Sequence, residues 1–120
     1  MTKKLFPDSA TFASAMGQAV WLMTLSKDHR NYPISEIERI VSPAVVLQQF
    51  KMYFKEKQPI AFLAWAAVSD EVKAKWDAGD YTLTLEDWRS GQNIIIVDCV
   101  SPFAKREEVE TQFLSGLKIG

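Results

Sequence analysis

The sequence predicts an α/β (α+β) fold: one domain over residues 1–120, with a small central, mostly antiparallel sheet flanked by helices. Three observations predict it. Apolar residues recur at helical spacing near the N-terminus. Two runs of branched and aromatic residues are reversed around "KEKQP". The stretch "NIIIVDCV" (Asn93 to Val100) is the strongest strand signal in the chain. At 120 residues and 48% apolar composition, the chain suits one compact core rather than two.

The elements follow in order. Asp8 or Ser9 caps a first helix, along which Phe12, Ala15, Met16, Ala19, Val20 and Met23 share a face that Trp21 and Leu22 widen. "KDHRNYP" ends it, because Pro33 disfavours helix at Tyr32. "SEIERIV" reads as a short second helix capped by Ser35, with Glu36 and Glu38 in its first turn. From about Val45, "VVLQQFKMYFKEKQPIAFLAWAAVS" reads as two strands of a hairpin. "SDEVKAKWDAGD" reads as a third helix, with Ser69 as cap and Gly79 as stop. "TLTLEDW" reads as the start of a strand, and Ser90-Gly91 turns the chain into "NIIIVDCV". "KREEVETQFLSGL" forms a final helix that frays or stops near Gly116. Trp21, Trp65 and Trp76 read as core residues. Helix, helix, hairpin, helix, strand, helix makes a layered α+β arrangement.

The totals exclude several functions. With 14 basic and 15 acidic residues the chain has no charge excess with which to neutralise phosphates, so a dedicated nucleic-acid binder is disfavoured. A single cysteine, Cys99, makes no internal disulfide, and no Cys/His cluster offers a metal site. No glycine-rich phosphate loop suggests a nucleotide cofactor. The longest apolar run, Ile60 to Val68, falls far short of the roughly 20 residues a membrane span takes. The opening "MTKKLFPDSA" lacks the apolar stretch of a signal peptide, which makes a cytoplasmic protein the expectation.

Asp98 is the polar residue in the wrong place. Strict alternation along "NIIIVDCV" puts Ile94, Ile96, Asp98 and Val100 on one face, and Ile95, Val97 and Cys99 on the other. A strand apolar on both faces is usually central, and a carboxylate buried there requires a partner. An arginine, a run of backbone N–H groups or His29 would serve. A structural bond to the "SPF" turn that follows accounts for the same pattern.

His29, the protein's one histidine, lies in "SKDHRNYPIS". Beside a helix C-terminus it either favours the helix dipole in water or acts as a general base. In the second reading a carboxylate on one ring nitrogen fixes the tautomer and leaves the other nitrogen facing substrate. Ser26, three residues earlier, is a hydrogen-bond partner for the imidazole, a nucleophile or a backbone-bonding residue. No Gly-x-Ser-x-Gly elbow is present, and Cys99 reads as packing.

Four stretches in order, "HRNYPIS", "QPIAFLAWAAVS", "LEDWRSG" and "IIVDCVSPFA", resemble the toxin-activating lysine acyltransferases, the enzymes that fatty-acylate repeats-in-toxin (RTX) proteins. The resemblance spans Val20 to about Ala104. It implies a fold like that of the Gcn5-related N-acetyltransferases, often as a homodimer. It implies transfer of a fatty acyl group from acyl carrier protein to internal lysines of an RTX-type protoxin, with no cofactor beyond that donor. The family's essential histidine falls on His29, its essential aspartate on Asp98, and the serine of its Ser-x-x-His stretch on Ser26, in a supporting role. Members usually continue past the region matched, so the resemblance is to a C-terminally reduced member, and an aromatic usually stands where this chain has Cys99.

Acyl carrier proteins are acidic, so the docking surface is expected among Lys51, Lys55, Lys57, Arg89, Lys105 and Arg106. Two other readings fit the same residues. One is a non-catalytic module that binds a toxin or carrier protein; the other is an acyl-thioester hydrolase in which His29 and Asp98 activate water.

Overall fold

A computed structural model describes residues 8–119. The expectation that "MTKKLFP" belongs to no signal peptide concerns residues outside that range. Four helices and three strands run in the order α1 (Ser9–Thr24), α2 (Ile34–Leu47), β1 (Phe50–Lys55), β2 (Gln58–Val68), α3 (Asp70–Asp77), β3 (Asn93–Val100) and α4 (Arg106–Ile119). The strands form one antiparallel sheet in the order β1-β2-β3. The architecture is the α+β arrangement expected, and it is consistent with an acyltransferase-type fold.

The sheet has a thick side and a thin side. Ala15, Ala19, Leu22 and Met23 of α1 and Ile40, Val41, Ala44 and Val45 of α2 pack on Phe62, Ala64, Ala66 and Val68, the inward residues of β2. Each large apolar side chain removed from water there stabilises the fold by about 1.5–3 kcal/mol. On the other side α4 lays Val109 and Phe113 over Ala61, Leu63, Trp65 and Cys99. β2 alternates cleanly between the two cores, as a strand covered on both faces should.

Local chemistry sets most of the boundaries. Asp8 caps α1, its side chain accepting from the Thr11 N–H at 2.8 Å, and Ser69 caps α3 by accepting from the Val72 N–H at 3.2 Å. Gly79, at φ 97°, follows α3 in the left-handed conformation that favours glycine.

The structure departs from the sequence reading at several element boundaries and core positions. The second helix starts at Ile34 with Pro33 as its cap, so Ser35 lies inside it. It also runs through Pro43 to Leu47, taking in three residues read as strand. An interior proline costs a helix about 3 kcal/mol. Here Ile40, Val41, Ala44, Val45 and Leu47 form a buried stripe whose packing outweighs that cost. "TLTLEDW" forms no strand; it ends in a turn whose last backbone joins β2 only through an Arg89–Ala67 bridge. Trp21 is 42% exposed, and the fully buried tryptophan is Trp88. The last helix continues past Gly116 to Ile119.

Two positions make testable stability statements. Glu56 and Lys57, the two-residue turn between β1 and β2, both take positive φ (50° and 74°), a conformation that costs a residue with a side chain about 1–2 kcal/mol. Replacing Glu56-Lys57 by Asn-Gly, the pair this turn type prefers, is expected to raise the melting temperature by a few degrees. Gly91 lies against the end of β2, where an added Cβ would sit 2.5 Å from the Val68 carbonyl oxygen and 2.6 Å from Ser69 Cα. Both are backbone atoms and cannot swing aside. Gly91→Ala is therefore expected to cost about 2 kcal/mol or more in urea unfolding.

Candidate active site

The junction between α1 and α2 turns three residues inward. After Leu25 ends α1, the His29 and Arg30 N–H groups donate to the Ser26 carbonyl at 3.1 and 2.9 Å, and the Tyr32 N–H donates to the His29 carbonyl at 2.9 Å. These successive turns stack Ser26, His29 and Tyr32 at a spacing of three; the His29 and Tyr32 rings lie 5.0 Å apart. Pro33 then starts α2. The segment is a connection between helices, yet Ser26 is 7% exposed and His29 only 4%.

His29 reaches across to β3. Its Nε2 lies 3.0 and 3.1 Å from the two carboxyl oxygens of Asp98, and its Nδ1 lies 2.6 Å from Ser26 Oγ. With Asp98 as acceptor, Nε2 carries the ring proton and donates it. Nδ1 is then an acceptor, and the Ser26 hydroxyl donates to it. The result is one hydrogen-bonded line: hydroxyl, imidazole, carboxylate. The sequence reading left the second ring nitrogen facing substrate; in the structure Ser26 occupies it.

Asp98 is 5% exposed and has further partners. The Cys99 N–H donates to Oδ1 at 2.8 Å, the Tyr32 hydroxyl donates to Oδ2 at 3.5 Å, and Arg106 Nη1 lies 3.7 Å from Oδ1. Such a set is what a buried carboxyl group requires. Of the partners weighed from sequence, the histidine, an arginine and a backbone N–H all take part.

What aims Asp98 at His29 is an extra residue in β3. Ala64 of β2 pairs with Asp98 and Trp65 pairs with Ile96, which leaves Val97 without a partner as a β-bulge. Strict alternation therefore fails there. Ile95, Val97 and Val100 share the thick core, while Ile96 and Cys99 share the thin one. Asp98 lies on the side of Ile95 and Val97, not on the side of Ile96 that the sequence pattern assigned.

The surroundings tune three groups. Burial, and after it the Asp98 carboxyl, push the Tyr32 phenol above its ordinary pKa, so it stays a donor. Burial pulls the Arg106 guanidinium down, but Glu110 and Asp98 outweigh that, and its pKa stands above the ordinary value. Burial pushes the Cys99 thiol up to about 12, which suits packing and not nucleophilic chemistry. A cavity of about 370 Å³ opens beside Asp98, walled by Tyr32, Arg39, Trp76, Tyr81 and Arg106.

Tyr32 is a member of this cluster that the sequence reading passed over; its spacing of three from His29, equal to that of Ser26, is the signal that marks it. Arg106 was assigned to a docking surface, yet one face of it holds Asp98. Arg89, from the same set, donates to the Leu47 carbonyl at 2.6 Å and closes the end of α2.

The α+β frame thus buries a hydroxyl, an imidazole and a carboxylate in one hydrogen-bonded line. The chain belongs to the RTX toxin acyltransferase family (HlyC), whose model matches residues 8–117. It is similar to the protein-lysine myristoyltransferase RtxC of Kingella kingae, with 36% identity over 90 residues, which are 75% of this chain and 54% of that protein. It is also similar to the lysine-acyltransferase RtxC of Vibrio cholerae, with 36% identity over 107 residues, 86% of this chain and 70% of that one. An uncharacterised protein of Synechocystis is 31% identical over 96 residues, 78% of this chain and 65% of the relative. Against several of its curated relatives, then, the chain spans little more than half their length.

The raised thiol gives a pH-dependent expectation. A thiol whose folded pKa lies above its unfolded value contributes stability that is present below about 9 and lost as pH rises toward about 12. Cys99 is expected to resist a thiol-exchange reagent in the folded protein at pH 8 and to react fully once denaturant is added. Stoichiometric labelling of the native protein would contradict the burial assigned here.

Proposed function

We propose that this chain is a protein-lysine acyltransferase that moves a fatty acyl group from acyl carrier protein to internal lysine side chains of an RTX-type protoxin. His29 is the general base, oriented by Asp98 and supported by Ser26. The observation that carries this reading is the buried Ser26–His29–Asp98 line in a member of this family.

The chemistry follows from the geometry. A lysine amine has a pKa of about 10.4, so at neutral pH it is protonated and cannot attack a thioester until it loses a proton. With Nε2 committed to Asp98, Nδ1 is the nitrogen that takes it. Ser26 stands at Nδ1, and its hydroxyl passes its own proton to the ring as it receives one from the amine. The amine nitrogen then bonds to the thioester carbonyl carbon, and the carbon–sulfur bond breaks. The amide nitrogen loses its remaining extra proton to solvent water as the imidazolium returns its own to the departing thiolate, leaving a neutral amide on the lysine and a free thiol on the carrier. Asp98 stabilises the imidazolium between the two steps.

A covalent route uses the same atoms, with Nδ1 taking the acyl group as a transient acyl-imidazole. Lys51, Lys55 and Lys57, exposed on β1 and its turn, supply the positive charge that suits an acidic carrier protein. Arg89 and Arg106, also exposed, spend part of their hydrogen bonding within the protein, Arg89 on Gln49 and the Leu47 carbonyl and Arg106 on Asp98 and Glu110.

The test is intact-mass analysis of a candidate RTX protein incubated with this chain and acyl-loaded carrier protein. The wild type is expected to add a fatty-acyl mass, and His29→Ala and Asp98→Asn to lower the rate by about 10²–10⁴-fold. Ser26→Ala is expected to lower it less, because water can stand in for the hydroxyl. Release of free fatty acid with no gain on protein would favour the hydrolase reading. Binding without either product would favour the binding module.

A further inference from the structure

Gln49 is a buried polar residue, 4% exposed, that the site does not touch. It follows Gln48, whose positive φ (59°) ends α2, and it precedes β1. Its hydrogen bonds tie β2 to the turn that carries Trp88 and Arg89. Its main-chain carbonyl accepts the Trp65 N–H at 3.1 Å, and its side-chain amide donates to the Trp65 and Trp88 carbonyls at 3.3 and 2.9 Å. Its side-chain oxygen accepts from Arg89 Nε at 2.8 Å, and Arg89 in turn holds the end of α2.

The location explains the need. β1 pairs with β2 only as far as Phe50–Ala64, and the segment around Arg89 takes over the same edge of β2 at Ala67. Between the two, the backbone of Trp65 would be left open, and Gln49 closes it. The opposite edge of β2, at this same level, carries the bulge: the register changes between Ala64–Asp98 and Trp65–Ile96. A register change of one residue turns a strand's side chains to the other face. If the ladder ran on from Trp65–Ile96 without the bulge, Asp98 would turn to the other face and leave His29.

We infer that Gln49, braced by Arg89, is a positioning residue: it holds Trp65 at the height that keeps the bulge at Val97 and so keeps Asp98 on the His29 imidazole. It acts through β2 and touches no reacting atom. The inference extends the transferase reading but has a readout of its own, because His29 is the protein's one histidine and its ring nitrogens give an unambiguous NMR spectrum.

The test compares wild type, Gln49→Leu, Gln49→Glu and a control, Val72→Ala, which trims the thick core beneath α3. The glutamate variant keeps an acceptor for Arg89 but loses both donors; it answers the question if the leucine variant does not fold. In wild type the His29 nitrogen spectrum is expected to show a proton fixed on Nε2 that is slowly exchanging and downfield. In either Gln49 variant that proton is expected to exchange at least tenfold faster and the two tautomers to mix, while Val72→Ala keeps the wild-type pattern.

Where transfer is measurable, kcat is expected to fall about tenfold in the Gln49 variants with KM for either substrate within twofold. A folded Gln49 variant that loses stability but keeps the wild-type His29 spectrum overturns the inference and leaves the transferase reading standing. Loss of the spectrum in a protein that acylates nothing leaves the inference standing and sinks the transferase reading.

Discussion

The structure hangs on one unpaired residue. Val97 is an insertion into an otherwise regular ladder, and it decides which way Asp98 faces. Continued from the Trp65–Ile96 pair with no bulge, alternation would carry Asp98 to the thin side of the sheet, under α4. No histidine would meet it there, and a buried carboxyl group without partners costs several kcal/mol. The bulge thus resolves two demands together. It lets the strand stay apolar on both faces, and it delivers one polar group to the side where His29 waits.

The buried polar residues among those described are four, Ser26, His29, Gln49 and Asp98, and all belong to networks on the two edges of β2. Gln49 saturates the edge where β1 departs; Asp98 and its partners occupy the edge where β3 bulges. A half-satisfied polar network is worse than an apolar core, and these two are well supplied with partners. Interior polarity in this protein is concentrated at a single height of the sheet, which is also the height of the candidate site. Apart from the buried indole N–H of Trp88, the rest of the core is apolar packing, and it supplies the stability that holds the polar level in place.

Much of this was legible in the residues. Helix caps at Asp8 and Ser69, the hairpin around Glu56-Lys57 and the strand at Asn93–Val100 are local signals, written in single side chains and short periods. Asp98 stood out because it breaks an apolar run, and His29 because there is no other histidine. What was hidden was non-local. Pro43 reads as a helix breaker until the packing of Val41, Ala44 and Val45 against β2 is known. "TLTLEDW" alternates like a strand, but β2 has already given its edge to β1 and to Arg89. Alternation placed Asp98 correctly with Val100 and opposite Cys99, but not its phase relative to Ile95 and Ile96, because the bulge between them is set by pairing with the partner strand. The assignment of Ser26 to Nδ1 was open for the same reason: it depends on which nitrogen Asp98 takes first.

The way each member of the line is held suggests how it works. Asp98 has partners independent of the imidazole: the Cys99 N–H, the Tyr32 hydroxyl and the Arg106 guanidinium. The ring can therefore gain or lose a proton without the carboxyl group rotating away, so little reorganisation accompanies the change in charge. Tyr32 strengthens that hold because its raised pKa keeps its proton in place. Among the contacts described, the His29 ring is hydrogen-bonded only by Asp98 and Ser26. Of those two bonds, the one to Ser26 joins neutral groups and the one to Asp98 does not, and charge-assisted hydrogen bonds are roughly twice as strong. The weaker bond is the one that gives way. In this arrangement the carboxylate side is the fixed anchor, and under the proposed mechanism the hydroxyl side is where a substrate amine or an acyl group would enter the line.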